Sequence, residues 1–117
     1  MKVSVTKITV ISESVLRDEI IELIKRHGAT GYTLTLVEGE GSRGVRASDW
    51  SGRNVRLEAL VADPVADAIL QELNDRYFED YAVIAWLSEV KVLRGRKFGF
   101  AEEGGEGDGS GDVSRRD

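Results

Sequence analysis

The chain has 117 residues, 41% of them apolar, enough for one hydrophobic core and too few for two. It holds no cysteine and one histidine, which excludes disulfides, thiolate metal sites and cysteine nucleophiles and leaves few ligands for a histidine-based triad or metal site. The net charge of −5 is concentrated in residues 99–117, where six acids face two arginines; the other residues carry 15 acids and 14 bases. Nucleic-acid binding through bulk positive charge is therefore not expected. No apolar run approaches bilayer-spanning length and MKVSVTKITV lacks a signal-peptide pattern, so the expected location is the cytoplasm.

In chain order, Val3–Ile11 is rich in β-branched residues and predicts a strand. Ser12 or Ser14 is a helix cap, and Val15, Leu16, Ile20, Leu23, Ile24 and His27 follow near helical spacing until Gly28 stops the helix. Tyr32–Val37 alternates as a half-buried strand. Residues 39–54, GEGSRGVRASDWSGRN, have four glycines and no periodicity, and predict a long loop. Val55–Val61 returns to strand character. Asp63-Pro64 then opens a helix, with Asp63 as the cap and the stripe Val65, Ala66, Ile69, Leu70, Leu73 and Tyr77 behind it. Ala82–Leu87 is a continuous apolar run of strand length, and Val90–Leu93 a short further one. From Gly99 onward the chain is Gly-rich and acidic, and predicts a disordered tail.

The order βαββαβ predicts an α+β, ferredoxin-like domain with an antiparallel sheet and two helices on one face. The bare face of such a sheet calls for a cover, and another subunit is the expected one. Trp86 is read as core or as packing at the subunit axis, His27 as a surface residue at a helix end, and Tyr77, Phe78 and Tyr81 as packing around the helix-to-strand turn. Trp50, on a polar loop, docks onto a neighbouring subunit or a partner.

Gly39-Glu40-Gly41-Ser42-Arg43-Gly44 fits G-x-G-x-x-G in letters, but no helical stripe follows it, so the dinucleotide fingerprint is rejected. Glycine amides, the Ser42 hydroxyl and the guanidiniums of Arg43 and Arg46 are nevertheless donors suited to an anion. Arg94, Arg96 and Lys97 form a second basic set. Two readings stay open on spacing alone: a solvated loop with ordinary surface arginines, or an anion site, which the length of the loop in so small a domain keeps in contention.

Gly28-Ala29-Thr30-Gly31-Tyr32-Thr33 and Gly39-Glu40-Gly41-Ser42-Arg43-Gly44-Val45-Arg46 resemble the PII signalling superfamily. Together with Arg76-Tyr77-Phe78-Glu79-Asp80-Tyr81-Ala82 and Glu89–Arg96, they are most similar to its inorganic-carbon branch, the carboxysome-associated PII proteins and the regulators of bicarbonate transporters. The resemblance implies a non-catalytic homotrimer that binds adenine nucleotides (ADP, AMP, ATP or cyclic AMP) between subunits. Residues 1–98 would be the domain, residues 38–54 its T-loop and residues 99–117 the tail. Thr30 and Gly31, with the strand Leu57, Glu58 and Ala59, would line the adenine pocket. Gly39, Gly41, Ser42, Arg43 and Arg46 would hold phosphates at the base of the loop, and Arg94 and Arg96 would reach them from the adjacent subunit. Gly41, Ser42 and Arg46 would also bind bicarbonate. The implied partner is a carboxysome component or a bicarbonate transporter.

Where nitrogen-sensing members carry a glycine-rich phosphate loop, this chain has Tyr77-Phe78-Glu79-Asp80-Tyr81, so ATP is expected to bind more weakly than ADP, AMP or cyclic AMP. The loop has no tyrosine for uridylylation, and no cysteine pair follows the last strand, which tilts the resemblance toward the carboxysome-associated group. Two other classes compete with this one. The first is a small ferredoxin-like enzyme with slow nucleotide hydrolysis, for which no nucleophile–base pair is visible; the second is a trimeric metal-tolerance-like protein, for which the ligands are missing.

Overall fold

A computed structural model of the chain describes residues 1–38 and 54–93. The N-terminal β-branched run forms β1 (Val3–Glu13), a 3₁₀ turn (Ser14–Leu16) leads into α1 (Arg17–Arg26), and β2 (Thr33–Val37) follows. β3 (Asn54–Val61), α2 (Asp63–Leu73), a π-helical turn (Asn74–Phe78) and β4 (Val83–Val92) complete the described order. The strands lie in the order β2-β3-β1-β4, each pair antiparallel. This is the expected ferredoxin-like α+β arrangement, with α1 and α2 on one face.

Register decides which side chains meet the helices. Ile8 stands opposite Ala59 and Leu87, and Val10 opposite Leu57 and Ala85. Alternation sends these residues to one face, where they pack against Leu16, Ile20, Leu23 and Ile24 from the α1 side and Ala66, Ile69, Leu73 and Tyr77 from the α2 side. Burying each of the larger ones contributes about 1.5–3 kcal/mol.

Several local expectations are corrected. Neither Ser12 nor Ser14 caps α1: β1 continues through Glu13, the Ser12 hydroxyl donates to the Glu13 carbonyl at 2.9 Å, and Leu16 occupies the cap position without a side-chain bond. Val15 lies exposed in the 3₁₀ turn, off the helical stripe. Asp63 is the first residue of α2 and Ala62 its cap; the Asp63 carboxylate accepts from the Thr6 hydroxyl instead. The two apolar runs at the end form one strand, β4, because β1 pairs with it continuously from Val83 to Val92. Trp86 is no part of the helix-side core: it stands opposite Thr9 on the other face and is 42% exposed.

The bare face is divided. On the β1–β4 side Ile11 stands opposite Ile84, which is 58% exposed, and Trp86 lies two residues further along β4. On the β2–β3 side the same face carries Thr33 opposite Glu58 and Thr35 opposite Arg56. The β1–β4 side is apolar around Ile84 and Trp86, with Lys7 opposite Ser88 further along it, and the β2–β3 side is polar and charged.

Candidate functional site

The end of α1 builds one wall of a cleft. Gly28 takes φ 107°, its N–H donates to the Lys25 carbonyl at 3.0 Å, and the Ala29 N–H reaches the Ile24 carbonyl at 3.0 Å. This is the paired hydrogen-bond pattern of a glycine-terminated helix, and it turns the chain sharply into Thr30–Tyr32. The cleft, about 380 Å³, lies between that turn, Thr33 at the start of β2, Lys7 of β1 and Glu58–Leu60 of β3. A Cβ built at Gly31 would meet nothing within 4 Å, so the backbone there borders open space.

Glu58 is the acid of the cleft and is held from three sides. Its Oε2 accepts from the Thr9 hydroxyl at 3.0 Å and lies 3.5 Å from Lys7 Nζ and 3.7 Å from Arg56 Nε. Two cations against one carboxylate leave this part of the face with a positive balance. A second depression, about 360 Å³, includes Ser4, Thr6, Asp63 and Glu89 in its lining. Its two acids make it a poor receptacle for an anion.

The cleft wall is tied to α2 through Glu72. Both terminal amines of Arg26 donate to its carboxylate at 3.1 and 3.0 Å, His27 Nε2 lies 2.7 Å from Oε1, and Arg76 donates at 2.9 Å. These bonds, Arg26's foremost, hold the Glu72 carboxyl well below the usual range, at about 2. His27 is thus a helix-end residue as read, but half-buried and engaged. The π-helical turn packs as expected: Tyr77 is buried, its ring meets Tyr81 edge-on at 5.8 Å, and its hydroxyl donates to Glu19 at 2.8 Å. Burial foremost, with Glu19 behind it, raises the Tyr77 pKa above its ordinary value. Glu13 accepts from the Ala82 N–H at 2.7 Å, which fixes the start of β4 to the end of β1.

Of the site residues expected from the sequence, the fold brings Thr30, Gly31, Glu58 and Ala59 to one cleft. Leu57, like Ala59, faces the helix-side core, but it is buried there without bordering the cleft. Gly39, Gly41, Ser42, Arg43, Arg46, Arg94 and Arg96, together with Trp50 and Lys97, lie outside the described residues. Lys7 and Arg56 were missed. Lys7 meets Glu58 only once β1 and β3 pair; Arg56 lies two residues before Glu58 on the same face of β3, but an isolated basic residue in a strand gives no signal in the sequence. Among the described residues no three His, Asp or Glu side chains converge as a metal site, and no helix is long and apolar enough to cross a membrane.

A split βαβ sheet with a cleft at the start of its β2 edge strand defines a small ferredoxin-like domain. The chain belongs to the nitrogen regulatory protein P-II family, whose model matches residues 5–97. It is similar to a PII-like signaling protein from Thermus thermophilus, at 48% identity over 83% of this chain and 97% of that one, with a TM-score of 0.73. The fold is also that of CPII from Thiomonas intermedia. CPII bound to ADP, AMP and bicarbonate matches at 21% identity over 84% of this chain and 96% of CPII, with a TM-score of 0.76. CPII bound to ADP and bicarbonate matches at 22% identity over 84% and 97%, with a TM-score of 0.76.

Proposed function

We propose that this chain is a PII-like sensor of the inorganic-carbon branch, a homotrimer that binds ADP or AMP between subunits together with bicarbonate. It acts by binding and not by turnover, in the cytoplasm, and passes carbon and energy status through its T-loop, residues 38–54, to a carboxysome component or a bicarbonate transporter. Residues 1–98 form the sensing domain and residues 99–117 a separate acidic tail. ATP and cyclic AMP are weaker and alternative ligands of the same site.

The observation that carries this reading is the cleft itself. Thr30, Gly31, Glu58 and Ala59, separated by up to 29 positions, line one hollow at the edge of the sheet. From there the β2–β3 pair runs to Val37 and Asn54, which stand opposite each other at the two roots of the T-loop. A nucleotide whose base lies in the cleft and whose phosphates point along this pair reaches the loop that carries Gly41, Ser42, Arg43 and Arg46. The divided face supports the assembly: subunits cover the apolar half around Ile84 and Trp86, and the polar half stays at the cleft. Phosphate and bicarbonate at the loop base neutralise arginines that otherwise repel one another, which favours an ordered loop and changes the surface offered to a partner.

Calorimetry of the full chain with AMP, ADP, ATP and cyclic AMP, each with and without bicarbonate, tests the reading. Micromolar binding of ADP or AMP that changes with bicarbonate, and is abolished by Arg46→Ala, is the expected result. Absence of binding by every nucleotide would leave the family assignment as one of fold alone.

A further inference from the structure

We infer that Arg56 is the residue that takes the first phosphate of the nucleotide, a role that rests on the sensor reading above. Alternation along β3 puts Arg56 on the same sheet face as Glu58, one step of about 6.6 Å toward the roots of the T-loop. That step is comparable to the reach from a base to its 5′-phosphate, so a ligand seated against Thr30, Gly31 and Glu58 carries its phosphate over the Thr35–Arg56 row.

The guanidinium is free to receive it. Among the described residues its ion pair is the 3.7 Å approach of Nε to Glu58 Oε2, the longest of the three contacts made by that oxygen. Thr9 at 3.0 Å and Lys7 at 3.5 Å keep Glu58 in place without Arg56. The terminal amines remain available for a bidentate grip on phosphate oxygens, and the side chain is 47% exposed, so it turns toward a ligand without a buried bond being broken. Glu58 thereby orients the arginine and limits its repulsion with Lys7. The nearest other acid of this face toward the loop, Glu13, is engaged by the Ala82 N–H and does not compete for the guanidinium.

Calorimetry on Arg56→Gln and Arg56→Lys, with adenosine, AMP and ADP, separates this role from a general one. The account expects Arg56→Gln to weaken AMP and ADP by about ten- to a hundredfold, the effect of one charge-assisted contact, while adenosine binds as to the unaltered protein. Arg56→Lys should recover part of the loss. Equal weakening of adenosine, or unchanged AMP and ADP affinity in Arg56→Gln, would overturn the assignment while leaving the sensor reading intact. Failure of the unaltered protein to bind any of the three would overturn both. An unaltered circular dichroism spectrum checks that each variant is folded.

Discussion

Two glycines three residues apart should respond oppositely to the same methyl group. Gly28 sits at φ 107°, and a Cβ there meets no atom within 4 Å, so its substitution costs backbone strain and nothing else. For an L-residue at positive φ that strain is about 1–2 kcal/mol. A domain of this size loses roughly 4–8 °C of melting temperature per kcal/mol, so Gly28→Ala should melt roughly 4–15 °C lower at equal protein concentration. Gly31 has the same open surroundings without a positive φ, so Gly31→Ala should melt within a degree or two of the unaltered protein. Its methyl would instead border the cleft proposed for the nucleotide, where overpacking of about 1–3 kcal/mol corresponds to a loss of roughly tenfold or more in ADP affinity. Thermal unfolding and calorimetry on both variants read the two effects. A Gly28→Ala variant as stable as its parent would refute the strain argument. A Gly31→Ala variant that binds ADP normally would remove the Thr30–Gly31 turn from the site.

Glu72→Gln tests the carboxylate that ties α1 to α2. Its folded pKa of about 2 lies below the unfolded value near 4.5, so its contribution is fully present above that value and is lost as the pH falls toward 2. Urea unfolding from pH 7 to pH 2.5 should show the variant less stable at neutral pH and the difference closing in acid; a difference constant across that range would contradict the assignment. Trp86→Glu should break the oligomer. An unpaired charge buried in an interface costs about 3–5 kcal/mol, and sedimentation should find monomers where the parent sediments as a trimer. An intact trimer would place the interface elsewhere.

The fold was legible because its signals are local and repeated: the β-branched run of β1, the stripe from Val65 to Tyr77, and Gly28 at the end of α1. Caps were less legible. Ser12, Ser14 and Asp63 are cap-forming residue types, yet pairing with β3 and β4 extends β1 past Ser12, and Thr6, 57 positions away, claims Asp63. Of the two readings of Trp86, the helix-side core fails for a related reason. An apolar run reads the same whether a strand is covered on one face or two, and the register against Thr9 decides which face the indole takes. In the site, Thr30, Gly31, Glu58 and Ala59 came from family resemblance, which spacing alone could not supply. Lys7 and Arg56 escaped both routes: only the β1–β3 pairing makes Lys7 a neighbour of Glu58, and Arg56, two residues before Glu58 on β3, reads in the sequence as an ordinary basic residue of a strand.

Native mass spectrometry of the full chain with ADP counts subunits and ligands at once. A trimer carrying up to three ADP is expected, with occupancy that changes when bicarbonate is added. A monomer that binds one ADP, or a trimer that takes up none, would contradict the sensor reading.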